Sequence, residues 1–265
     1  MEASNYVIID LSYLDLAISL GLILIIVGLS RWQQLNLEGD LVVAALRTFL
    51  QLLAVGYILK YIFAINESHL IMLALLAMII VAARTVVGRQ KKQTKDLPYL
   101  VGFAITVGSG ISVFVATQIL LQIEPWYEPH YLIPLAGMVI GNSMNGATLA
   151  VERVDAEIEA RKMEIEAYLA LGATAKQAGV KSVRAAMKAA MIPTINSMMV
   201  VGIVSLPGMM TGQILSGTSP LIAVKYQIII MYMIAFSVAA SSLILANLRF
   251  RKYFTKDHQL REEAL

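Results

Sequence analysis

Asn142, Ser143 and Asn145 stand together in one apolar stretch of the chain, and Asn196 and Ser197 in another. A third stretch, SLPGMMTGQILSG at residues 205–217, gathers Ser205, Pro207, Gly208, Met209, Met210, Thr211 and Gln213. Amides and hydroxyls exchange hydrogen bonds but are weak acids and bases, so such groups bind and steer a solute and do not transform it. The thioethers of Met209 and Met210 are soft ligands, suited to Cu(I) more than to iron, which takes imidazole and oxygen. The preferred reading of the methionines is adaptable packing in a helix that slides against its neighbours, and no metal ligand is assigned.

Covalent and metal chemistry lack their usual residues. The chain has no cysteine, and its three histidines, His69, His130 and His258, fall in loops or the tail. Neither H-E-x-x-H nor G-x-S-x-G occurs, and GATAKQAGVKS fails as a phosphate loop because six residues separate Gly172 from Gly179 and Val180 precedes Lys181. No catalytic residue and no cofactor bound by this chain is expected. Glu67, His69, Glu124, Glu128 and His130 are read as solvated loop residues in preference to an outer cation site.

The elements that carry these groups must sit in a bilayer. Of 265 residues, 58% are hydrophobic and 15% charged, with a mean hydropathy of +0.72, far from a soluble domain. Apolar runs long enough to cross about 30 Å of hydrocarbon fall near 9–30, 41–63, 68–88, 98–121, 131–151, 189–207 and 220–247. The acidic flank MEASNYVIID argues that the first run is a permanent span and not a cleaved signal. With the N-terminus outside, alternate segments collect one, five, seven and five basic residues, 18 of the 21 in the chain, on the inner side. The expected fold is all-α and polytopic, with seven spans and the C-terminus in the cytoplasm. It forms one transmembrane domain over 1–265, in a cell membrane and surrounded by lipid.

Within the spans, Gly137 and Gly141 make a G-x-x-x-G pair suited to close helix contact, and the neighbouring amides must face protein or water. Packing alone is one reading of Asn142, Ser143 and Asn145; a substrate path with Asn196 and Ser197 opposite is the other. The segment 205–217 is read as a broken helix or re-entrant turn forming an outer gate. In it Pro207 removes a donor, Gly208 relaxes the backbone, and Ser205, Thr211 and Gln213 satisfy freed groups.

Residues 152–184 form a charged cytoplasmic excursion, with Val151, Val154, Ile158, Ile165 and Leu169 on one helical stripe. In EAYLALGATAKQ, Gly172 suits a left-handed helix end and Thr174 the N-cap of a second short helix. A compact cytosolic knob results. It resembles the EAA loop of ABC-importer permeases, Glu-Ala-Ala, three residues, then Gly, with Tyr168 in the third place. The resemblance implies that Glu166, Ala167, Leu171, Gly172, Ala173 and Thr174 dock an ATPase.

RTFLQLLAVGYILKYIF (47–63), IPLAGMVIGNSMNGA (133–147), LGATAKQA (171–178), MIPTINS (191–197), VGIVSLPGMMTGQILSG (201–217) and AVKYQI (223–228) resemble the FetB-type permeases, in order and spacing, over about 41–248. These are bacterial ABC-exporter subunits associated with iron homeostasis and oxidative-stress resistance, related to plant aluminium-tolerance permeases. The resemblance implies a homodimeric metal-ion permease working with a separate cytoplasmic ABC ATPase that uses ATP and Mg, and no nucleic-acid partner. Two alternatives remain: an ATPase-independent carrier or channel, and a non-transporting scaffold or sensor.

Overall fold

The computed structural model describes residues 12–255 and 257–261 and is helical nearly throughout. The helices are α1 (Tyr13–Trp32), α2 (Glu38–Ile65), α3 (Ser68–Gly88), α4 (Leu97–Phe114), α5 (Pro129–Ala160), α6 (Lys162–Ala170), α7 (Ala175–Val200), α8 (Gly208–Leu215) and α9 (Pro220–Lys252). Residues 9–11 of the first expected span lie outside the described part.

Two compact units divide the chain. The first is the hairpin α1–α2 with Leu215–Thr218. Ser12 and Asp15 form a capping box that starts α1, which is the role Asp15 plays. The Leu37 amide donates to Ser30 Oγ at 3.2 Å across the turn.

The second unit runs from Glu67 to Ile214 and from Ser219 onward. Here α9 packs against α4, α5 and α7, and α3 packs on α4 and α5. Small side chains make this possible. A Cβ at Gly108 would lie 2.9 Å from the Ser241 amide nitrogen and 3.0 Å from the Ser237 carbonyl oxygen, so α4 and α9 touch backbone to backbone. A Cβ at Gly146 would meet Val238 Cγ1 at 2.6 Å and Ser242 Oγ at 2.9 Å. Gly146 is therefore the residue that seats α5 on α9. Gly137 meets only the end of Met78 and Gly141 faces open space, so the close approach expected of that pair is not made by it.

Hydrogen bonds between buried hydroxyls replace the hydrophobic drive that lipid cannot supply. Ser237 of α9 lies 3.1 Å from Ser109 Oγ of α4 and 2.6 Å from Ser143 Oγ of α5, and Ser112 Oγ donates to the Met233 carbonyl at 2.9 Å. Each is worth about 0.6 kcal/mol in a membrane setting. Ser143, read from sequence as a pathway residue, is thus fully buried as a helix-to-helix tie.

Among the described residues five helices are long and apolar enough to cross a membrane: Leu14–Trp32, Glu38–Ile65, Ser68–Gly88, Leu97–Leu120 and Pro220–Lys252. The fourth continues past α4 through a π-helical turn, Val115–Leu120. α5 and α7 have the length, at 32 and 26 residues, but are richer in polar and charged groups.

Two expectations are corrected. The sixth run ends as a helix at Val200, not 207. Gly202 takes a φ of +83°, its amide donates to the Ser205 carbonyl at 2.9 Å, and the chain turns. The expected break is present but falls at 201–207, and Pro207 leads out of it into the next helix. Its carbonyl accepts from the Thr211 amide at 3.0 Å and from Thr211 Oγ1 at 3.1 Å, opening α8. Likewise the helix that Thr174 caps is not short. It is α7 itself, running unbroken from the knob to Val200.

Candidate functional site

Two continuous helices, α5 and α7, line a chamber that carries polar groups, midway along α5 and near the far end of α7, and lead from it toward the knob. At about 1.5 Å per residue they span roughly 48 and 39 Å, which exceeds the hydrocarbon thickness.

The chamber, a cavity of about 300 Å³, is lined by Met138, Asn142, Asn145 and Gly146 of α5, by Pro193, Thr194 and Ser197 of α7, by Ser205 to Met209, and by Gln227, Ile230, Met231 and Ile234 of α9. It brings together the Asn142, Asn145, Ser197, Pro207, Gly208 and Met209 read from sequence. No lining residue is charged. Asn142 Nδ2 donates to the Met138 carbonyl at 2.8 Å, which fixes that amide with its oxygen free to accept.

A second cavity of about 430 Å³ adjoins the first through Leu206, Gln227 and Met231, which line both. Met198, Met210 and Tyr232 belong to its wall. Asn196 is exposed and Gln213 half-buried; neither lines these cavities.

Gln227 is the residue that sequence reading passed over. It is 6% exposed, and its Oε1 is buried without a hydrogen-bond partner. A buried amide oxygen left unpaired costs about 1–3 kcal/mol. The signal was available: an amide inside the long apolar run of α9 is a site candidate by its position alone.

At the opposite end charged groups tie the unit together. Arg249 of α9, 2% exposed, donates from Nε and Nη2 to the two Asp155 oxygens of α5, each at 2.8 Å. Its remaining donors reach Thr94 Oγ1 and the Lys92 carbonyl, both at 3.2 Å. Lys92 also pairs with Glu159 at 3.0 Å, and Lys252 with Asp96. The α3–α4 connection, the end of α5 and the end of α9 are therefore clasped on one side.

The knob is built on local backbone chemistry. Gly172 takes a φ of +86°, its amide donates to the Leu169 carbonyl at 2.9 Å and that of Ala173 to Tyr168 at 3.0 Å, which closes α6 with a left-handed cap. Thr174 caps α7 in a capping box with Gln177. Beneath the knob Ile158, Ile165, Ala175 and Ala178 pack with Phe250, Tyr253 and Phe254, and the Phe250 ring fills the space a side chain at Gly179 would need. The outer surface is mixed, with two prominent apolar side chains: Leu171 is 85% and Met163 83% exposed, with Glu166, Ala167, Gly172 and Thr174 exposed beside them and Ala173 half-buried.

Glu164 of α6 accepts from Lys181 of α7 at 2.6 Å, and this bond, more than any other influence, holds its carboxyl below the ordinary glutamate value of 4.5. A lowered pKa means the tie is complete above 4.5 and lost as pH falls through the lowered value. Hydrogen exchange, corrected for intrinsic rates, is expected to lose α6 protection in that acid range. Glu164→Gln is expected to lack the step.

At the opposite end of the fold His69 pairs with Glu67 at 3.0 Å and His130 with Glu128 at 2.6 Å, two separate exposed contacts. Among the described residues no group of three or more His, Asp or Glu side chains is placed to hold a metal ion.

A family model, described as uncharacterised protein family UPF0014, matches residues 13–254. The chain is 41% identical to the UPF0014 membrane protein slr1647 of Synechocystis over 97% of its length and 99% of that protein. It is 37% identical to the probable iron export permease protein FetB of Escherichia coli, covering 93% of each chain. It is also 37% identical to ALUMINUM SENSITIVE 3 of Arabidopsis thaliana, over 92% of this chain and 88% of that one. No solved structure matches. With a match across nearly its whole length and relatives named as membrane proteins and a permease, this multi-pass membrane chain belongs to the UPF0014 family, as its FetB-type motifs imply.

Proposed function

We propose that the chain is the membrane-spanning permease subunit of an ABC transporter that exports a metal ion, with iron, the cargo in the name of the E. coli relative, as the first to test. The whole chain forms one transmembrane domain of seven spans, N-terminus outside, with α5 and α7 counted among them and residues 152–184 as the coupling segment. Two copies assemble with two copies of a separate cytoplasmic ATPase, which uses ATP and Mg.

The observation that carries the reading is the continuity of α5 and α7 between chamber and knob. A push on Leu171 and Gly172 acts at one end of helices that carry Asn142 and Asn145 midway along α5 and Ser197 near the far end of α7. The exposed Leu171 and Met163, rimmed by polar residues, suit a protein partner. Dimerisation is supported by the exposure of Asn142, Asn145, Asn196 and Ser197 on helices set at membrane depth, where amides do not face lipid. A second copy covers them and completes the path. In the resulting mechanism, closure of the ATPase dimer tilts α5 and α7 and opens the turn from Gly202 to Gly208.

Gly172→Val tests the coupling. A β-branched residue cannot hold a φ of +86° without about 1–2 kcal/mol of strain, so the cap rearranges. ATP-dependent uptake of the cargo metal into everted membrane vesicles, with iron offered first and a soft monovalent ion second, is expected to fall about tenfold, the rate equivalent of 1.4 kcal/mol. Membrane level and thermal midpoint are the controls. Undiminished uptake by a fully inserted variant contradicts the coupling role.

A further inference from the structure

The two adjoining cavities are unusual in their ligands. Met138, Met209 and Met231 line the first, and Met198, Met210 and the shared Met231 line the second. These sulfurs come from α5, α7, α8 and α9, so the fold and not local sequence gathers them. Two of the five, Met138 and Met231, lie outside the Met-Met pairs that the sequence displays at 198–199 and 209–210. The other side-chain groups on the walls are neutral amides, hydroxyls and apolar groups, with no carboxylate among them.

We propose that these chambers bind a soft monovalent cation of the Cu(I) and Ag(I) class, held by the thioethers of Met138, Met209 and Met231. Thioethers select such ions, whereas iron takes imidazole and oxygen ligands. Charge leads to the same ion. Desolvation cost grows as the square of the charge, so a divalent ion in a wall without carboxylates costs about four times what a monovalent one does. Met198 and Met210 line the adjoining cavity past Leu206. That this ion is the exported cargo rests on the permease reading; that it binds does not.

The test uses the full chain, purified in detergent with its methionine methyl groups ¹³C-labelled and titrated with Ag(I). One equivalent is expected to shift the Met138, Met209 and Met231 methyl resonances, while Met163, exposed on the knob, stays in place. Competition with a Cu(I) chelator is expected to give at least tenfold weaker binding for Met231→Leu, a volume-conserving change, at an unaltered thermal midpoint. Fe(II) is expected to shift none of the three. If Ag(I) leaves these resonances unmoved, or moves Met163 alone, or if Met231→Leu binds Cu(I) as tightly as wild type, the proposal is wrong. Capture of an ATPase by the knob is measured separately, so its presence or absence leaves this result intact.

Discussion

Arg249→Met is expected to destabilise the protein by about 3–5 kcal/mol, the effect of removing one partner from a buried ion pair. Asp155 is 8% exposed and takes both its strong hydrogen bonds from Arg249. Without the guanidinium its carboxyl group is left without a partner in a tightly packed site, and the Lys92 carbonyl and Thr94 hydroxyl lose the hydrogen bonds from Arg249 as well. The measurement is the thermal and denaturant midpoint of the purified chain in detergent. The double variant Asp155→Leu, Arg249→Met is expected to regain most of the loss, because a buried pair replaced by apolar groups is near neutral. Additive losses in the double variant would mean that the two residues act independently.

Leu171→Glu is expected to weaken ATPase docking by about 30-fold or more, the equivalent of a hot-spot loss of at least 2 kcal/mol. Leu171 is 85% exposed at the tip of the knob, follows the last residue of α6 and precedes the left-handed Gly172. Its side chain touches solvent in the isolated chain, so the substitution costs the fold almost nothing. Placing a carboxylate at the centre of an apolar contact desolvates a charge that has no partner. Surface-captured complexes of variant and wild type, compared by dissociation rate, measure the effect. Ile165→Glu is the contrasting change, since Ile165 is 1% exposed beneath the knob and its replacement unfolds the segment.

The knob was legible because its physics is local. A glycine that accepts positive φ, a threonine three residues before glutamine and a stripe of apolar residues each specify their own few residues of backbone. Val151, Val154 and Ile158 are accordingly all buried. The polar lining of the chamber was legible in part, because amides in apolar runs mark themselves. What sequence did not disclose is which face each helix turns inward. Ser143 turns to Ser237, two residues from an asparagine that faces the cavity. Gly146 and not the G-x-x-x-G pair meets α9. Asp155 and Arg249 stand 94 residues apart, and only the packing of α5 on α9 joins them. The end of the sixth run was misplaced because hydropathy continues past Val200 although the backbone, turning at Gly202, does not.

The most direct measurement is gentle purification of the tagged chain from its own membranes, followed by mass spectrometry of whatever accompanies it. A P-loop ATPase in equal stoichiometry with wild type, and absent from the Leu171→Glu preparation, is the predicted result. A chain that purifies alone and still moves solute across vesicles without ATP would contradict the ABC permease reading and leave a secondary carrier in its place.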